Sequence, residues 1–183
     1  MALKATVCKA ELQIADMERN YFHDHALTLA RHPSETDERM MVRLLAWVLH
    51  ADALLGFGKG LSDDEPDLWL KDLTGAIRLW IEVGQPDEKR MRRACGRADR
   101  VIVYAYGGHG TELWWKKAAA DVERCGNLTV IQLPQAACRE LAALADRTMR
   151  LNCTVQEGQV WIANAASSVL VEPVCLKAAA AAR

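Results

Sequence analysis

Glu82 closes a short apolar strand and is followed at once by a cationic helix, and this junction is where the chain has the means to do chemistry. The segment runs Arg78-Leu79-Trp80-Ile81-Glu82-Val83-Gly84-Gln85-Pro86-Asp87-Glu88-Lys89-Arg90. Leu79, Ile81 and Val83 share one strand face, so the two-residue period sets Glu82 beside Trp80 and Arg78 on the other. Two further acids precede it, Glu38 in a helical stretch and Asp72 before the strand. A helix glutamate, an aspartate entering a strand and a strand-end glutamate form the order in which many phosphodiester-cleaving folds hold Mg²⁺. Hard cations want oxygen ligands, and magnesium keeps waters, one of which can become a nucleophile. A lysine such as Lys89 then orients that water or offsets the developing charge. Spacing alone does not separate this set from ordinary surface carboxylates.

The helix after Pro86 carries Lys89, Arg90, Arg92, Arg93 and Arg97 against an apolar face of Met91, Ala94, Cys95 and Ala98. That is either a solvated surface helix or a basic ridge for a phosphate backbone, contacted through Arg92, Arg93 and Arg97. Net charge is −1, so a nucleic-acid contact must come from such a local patch.

Other candidates are weaker. Gly107-Gly108-His109-Gly110 sits between a strand and a helix, but lacks the further glycine of a dinucleotide fingerprint. Gly56-Phe57-Gly58-Lys59-Gly60 lacks the spacing and hydroxyl of a phosphate loop. His23 and His25 point the same way on a strand, with no third metal ligand close in sequence. Trp114 and Trp115 fall within the apolar arc of a helix with Ala118 and Val122, which favours core packing over a stacking platform. There is no G-x-S-x-G or H-E-x-x-H string and no C-x-x-C pair among the six cysteines, so hydrolase, zinc-protease and zinc-knuckle chemistry have no footing.

The elements that must position Glu82 follow from periodicity. Residues 3–15 and 25–31 alternate as a hairpin, and Ser34 caps a helix running to about residue 55. Residues 56–66 read as loop and 66–70 as a short helical piece. Strands at 77–83, 101–106 and 128–133 alternate with helices at 86–98, about 110–125 and about 134–146, which implies parallel pairing. Residues 148–156, 159–163 and 168–172 are strands, with Glu157-Gly158 as a turn. With 183 residues, 51% hydrophobic and 26% charged, the expectation is one α/β domain over 1–176, a mixed sheet flanked by helices, and a dispensable tail at 177–183. No secretory signal and no membrane-length apolar run are visible, so reduced thiols and a cytoplasmic location are expected.

Several strings occur in an order that resembles the YaeQ family of bacterial proteins. They are Ala30-Arg31-His32-Pro33-Ser34-Glu35-Thr36 with Glu38-Arg39-Met40-Met41, Asp64-Glu65-Pro66, Leu79 to Lys89, and Asp146-Arg147-Thr148-Met149. The resemblance covers essentially the whole chain. It implies a restriction-endonuclease-like core, a variation of the PD-(D/E)xK nuclease fold with added antiparallel strands, in a family without an established biochemical activity. It implies Glu38, Asp72 and Glu82 as Mg²⁺ ligands. The lysine expected two residues after Glu82 is Gly84, and Lys89 on the following helix is the substitute, with Arg93 one turn on. Pro86-Asp87-Glu88-Lys89 opens a helix instead of crossing two strands. Two functions follow: a Mg²⁺-dependent nuclease, or a degenerate relative that binds nucleic acid or a protein without cleaving.

Overall fold

The computed structural model describes residues 5–59 and 64–180. In chain order the elements are β1 (Thr6–Asp16), β2 (Tyr21–Arg31), α1 (Asp37–Leu49), β3 (Leu55–Phe57), β4 (Leu68–Lys71), β5 (Ile77–Val83) and α2 (Glu88–Cys95). They continue with β6 (Ala98–Ala105), α3 (His109–Val122), β7 (Leu128–Gln132), α4 (Gln135–Ala142), β8 (Thr148–Gln156), β9 (Gln159–Ala163), β10 (Ser168–Val171) and β11 (Val174–Lys177). The class is α/β with mixed sheets. The chain divides into two compact units, Met1–His50 with Ala136–Pro173, and Ala51–Gln135 with Val174–Arg183.

The first unit holds a five-stranded sheet in the order β10-β9-β8-β1-β2, antiparallel except where β1 runs parallel to β8. Strict alternation along β1 buries Cys8, Ala10, Leu12 and Ile14 and leaves Lys9, Glu11 and Gln13 outside, so one sheet face is core and the other solvent. Helix α1 opens on Thr36, whose hydroxyl accepts from the Arg39 amide at 3.1 Å, with Asp37 and Glu38 in its first turn. It stops at Leu49, short of the expected residue 55. A buried ion pair stands beside it. Glu35 Oε1 lies 2.7 Å from Arg43 Nε, an electrostatic contact and not a directed hydrogen bond, while Arg43 Nη2 donates to Glu35 Oε2 at 2.8 Å.

The second unit holds a six-stranded sheet in the order β11-β7-β6-β5-β4-β3. Strands β5, β6 and β7 are parallel, as the alternation with α2 and α3 requires. Trp80, Met91, Ala94, Val101, Val103, Ala118, Val122 and Val130 form its core, with Trp114 and Trp115 packed against it. The segment expected to be helical at 66–70 is instead the strand β4, antiparallel to both β3 and β5. Four residues cannot show a period, and Trp69 opposite Trp80 gives this pairing its cross-strand contact. The antiparallel strands expected to extend one sheet instead make a separate one. The expected tail begins inside a strand: β11 pairs with β7, and the Ala179 and Ala180 amides donate to Thr129 Oγ1 and the Gly126 carbonyl. Residues 181–183 lie outside the described part.

Among the described residues, no helix is long and apolar enough to cross a membrane.

Candidate functional site: a buried carboxylate held by an arginine

Glu82 is the most informative side chain in the second unit. It lies near the end of β5, an inner strand of the sheet between β6 and β4, and is 3% exposed. Its Oε1 accepts from the Trp80 indole Nε1 at 2.7 Å and from Arg90 Nε at 2.9 Å. The Trp80 bond is a direct consequence of strand alternation, which sets residues two apart on one face. Arg90 arrives from α2. Asp87 caps that helix by accepting the Arg90 amide at 2.7 Å, which fixes where the guanidinium emerges. Arg90 Nη2 also donates to the Glu65 carbonyl at 2.9 Å.

A second carboxylate completes the cluster. Leu68 pairs with Ile81 across β4 and β5, so the antiparallel register carries Asp67 to the position facing Glu82. Asp67 is 4% exposed, its amide donates to the Ile81 carbonyl at 3.0 Å, and its Oδ2 accepts the Val83 amide at 2.7 Å. Burial raises the Glu82 carboxyl above its ordinary range. The Trp80 and Arg90 bonds pull it back, Asp67 adds to the rise, and burial prevails.

The expected site residues are distributed differently. Asp72 is not with Glu82. It sits at the far end of the β4–β5 hairpin, next to the Lys71–Ile77 pair, about 17 Å of strand away at ~3.4 Å per residue. There it organises the turn, its Oδ1 accepting from the Thr74 hydroxyl at 2.6 Å and from the Thr74 and Ala76 amides, with Arg78 2.7 Å from its Oδ2. The Thr74 hydroxyl is the main reason its carboxyl is lowered. Glu38 lies in the first unit, half-buried in the first turn of α1, where it acts on the Cys138 thiol; burial first, and then Glu38, push that thiol up to about 12. Lys89, expected to orient a water, is exposed, and its neighbour Arg90 is the basic side chain that reaches Glu82. Arg92 lies 3.6 Å from Asp121, Arg93 lies 3.6 Å from Asp64, and the Arg97 guanidinium stands over the Trp80 ring at 5.9 Å.

Gly84 explains the missing lysine. Its φ is +105°, and its amide donates to the Tyr104 carbonyl at 2.9 Å. A side chain there is strained whatever its chemistry, so a basic group must come from elsewhere. The sequence did carry a signal for Asp67, the Pro66-Asp67 dipeptide fifteen positions before Glu82. It is masked in the acidic run 63–67, where the strand β4 is too short to announce itself.

Mg²⁺ does not fit these residues as they stand. Magnesium keeps several waters and needs only one or two carboxylates, so the obstacle is not their number but the Arg90 guanidinium already bonded to Glu82, whose charge opposes a cation. Among the described residues no group of three or more His, Cys, Asp or Glu is clustered for a metal. His25 accordingly has other company: the Tyr21 hydroxyl 2.7 Å from its Nε2 and the Trp47 ring edge-on at 4.8 Å. The glycine turn is filled by protein as well. Gln85 Nε2 donates to the Tyr106 carbonyl at 3.0 Å, and the Gln135 side chain occupies the space over Gly108.

Comparison with known proteins agrees over nearly the entire length. The family model described as "YaeQ protein" matches residues 1–173. An "Uncharacterized protein YaeQ" of Salmonella typhi is 46% identical over 173 residues, 94% of this chain and 96% of that protein. Its counterpart in Escherichia coli K12 is 47% identical over 165 residues, 90% and 91% of the two chains. The crystal structure of the YaeQ protein from Xanthomonas axonopodis pv. citri superposes with a TM-score of 0.93 at 53% identity, covering 95% of this chain and 99% of that one. That from Pseudomonas syringae gives 0.91 at 35% identity, covering 95% and 97%. A match of this length, in sequence and in fold, means that the chain belongs to the YaeQ family.

Proposed function

We propose that this chain is a nuclease-like protein that binds a nucleic-acid backbone without cleaving it, its acidic centre having become a metal-independent carboxylate–arginine lock. The observation that carries the proposal is the 2.9 Å contact between Arg90 Nε and the buried Glu82 Oε1. An arginine in that position does the charge-balancing that a cation does in a hydrolytic centre, and it supplies no water to activate. Gly84 in the lysine slot and exposure of Lys89 support the same reading.

The basic residues of α2 support the binding half. The side chains of Arg92 and Arg93 are 54% and 41% exposed, and their partners Asp121 and Asp64 are 53% and 84% exposed. Exposed ion pairs contribute only about 0–1 kcal/mol, so exchanging these carboxylates for phosphates costs little, although Arg92 stays tied to the Asp121 carbonyl through Nε and Nη2. Each phosphate neutralised releases counterions, which makes such binding steeply salt-dependent.

One experiment separates binding from cleavage. Labelled single- and double-stranded DNA and RNA are incubated with the protein, with Mg²⁺, Mn²⁺ or EDTA, and both anisotropy and strand length are followed. The expected result is salt-sensitive binding, intact strands in every buffer, and no rise in thermal midpoint on adding either metal. Cleavage that needs the metal and vanishes in Glu82→Gln is the result that overturns the proposal; it would mean that Asp67 and Glu82, adjacent across β4 and β5, still act as ligands once Arg90 moves aside.

A further inference from the structure

Cys95 and Cys125 are the one pair of thiols, among the described residues, whose surroundings bring two separate elements to a common point. Cys95 is the last residue of α2, and Cys125 follows the end of α3. Two polar clamps hold these ends together. The Asn127 side-chain nitrogen donates to the Cys95 carbonyl at 3.0 Å and to the Ala98 carbonyl at 2.8 Å. Arg92 reaches the other way, donating from Nη2 to the Asp121 carbonyl at 2.9 Å. Both cysteines pack against the same apolar cluster, both are only partly buried, and the Cys125 thiol is near enough to act on the ionisation of Cys95. Cys8, Cys138 and Cys153, by contrast, are enclosed in the other unit, and Cys175 lies exposed on β11.

We infer that Cys95 and Cys125 form a dithiol modification site, at which a two-electron oxidant closes an intramolecular disulfide between the ends of α2 and α3. Oxidation by the diazene diamide gives the step in full. The Cys125 sulfur adds to the N=N bond, and its proton passes to nitrogen. The Cys95 sulfur then attacks the Cys125 sulfur; the S–S bond forms as the S–N bond breaks, and the second proton leaves with the hydrazine. Two thiols are oxidised by two electrons and the azo bond is reduced by the same two. Cys125 is assigned the first attack because burial and the neighbouring thiol push Cys95 up to about 12, which keeps it protonated until a sulfur electrophile is already in contact. Proximity then makes the second step effectively unimolecular.

The test is thiol counting and peptide mapping on the intact protein. Mild diamide treatment followed by denaturation and maleimide labelling is expected to lower the labelled thiols of the monomer from the six in the sequence to four. Tryptic peptides 94–97 and 125–139 should then be recovered as one linked species, with fragment sequencing assigning the bond to Cys125 and not to Cys138, and dithiothreitol should separate them. Cys95→Ser and Cys125→Ser should each retain all five remaining thiols. Retention of six thiols in the treated wild-type protein overturns the inference. So does loss of thiols through any other pairing, including dimers linked through Cys175. The wild-type mapping decides the matter even where a serine variant does not fold.

Discussion

Removing the arginine from the acidic centre has a calculable consequence. Arg90→Met keeps an unbranched apolar stem and deletes the guanidinium, with its charge and its bonds to Glu82 and to the Glu65 carbonyl. Glu82 is then a carboxylate with 4% side-chain exposure, left with the Trp80 indole and facing Asp67. Breaking one side of a buried pair costs about 3–5 kcal/mol. The Arg90 side chain is 20% exposed, so water shares its solvation and the lower end applies, about 3 kcal/mol. For a chain of this size, that corresponds to a fall of roughly 6–12 °C in the thermal midpoint. The loss must depend on pH. Burial already raises the Glu82 carboxyl above its ordinary 4.5, and losing Arg90 raises it further. The folded state then holds a proton that the unfolded state has released, so stability falls as pH rises from about 4.5 through the folded value and levels off beyond it. The slope is at most about 1.4 kcal/mol per pH unit. Thermal unfolding followed by circular dichroism at pH 5 and pH 8.5 should therefore show a small deficit at the lower pH and the full one at the higher. Glu82→Gln in the Arg90→Met background should recover much of it, because an amide carries no charge to strand. A deficit that is equal at both pH values, or absent, refutes the electrostatic account of this centre.

Two further perturbations probe the frame around it. Glu35→Gln strands Arg43 in the first unit, where both side chains are 3% exposed, and should lower stability by about 3–5 kcal/mol in a urea titration; a loss below about 1 kcal/mol would mean the pair is solvated on the relevant timescale. Gly108→Ala forces a Cβ to within 2.2 Å of Gln135 Oε1 at a backbone φ of +60°. It should cost about 1–3 kcal/mol, and Gln135→Ala should recover only the steric part; complete recovery would show that the backbone itself carries no strain.

Elements with a long, unbroken period are legible in the amino-acid order alone. The alternation of Cys8, Ala10, Leu12 and Ile14 in β1, and of helices with strands through α2, β6, α3 and β7, needs nothing beyond local geometry. Glu82 is legible as a residue of interest for the same reason. Of the shortest elements, β10 is legible with four residues, but β3 with three and β4 and β11 with four each are not, because no period in them rises above the turn chemistry around them. Those short strands decide the site. Asp72 and Asp67 are equivalent by composition, both acids just outside β4, one at either end.

Local preference along the chain is therefore enough to specify the longer strands and helices, and that a glutamate shares a strand face with a tryptophan. Which acid meets it, and which base, is decided only in three dimensions. Register between β4 and β5 brings Asp67 to Glu82 and carries Asp72 to the other end of the hairpin. The cap at Asp87 aims Arg90 inward while Lys89, one residue earlier and 100° round the helix, faces water. Both outcomes rest on hydrogen-bond pairing and helix phase, which no single residue type encodes.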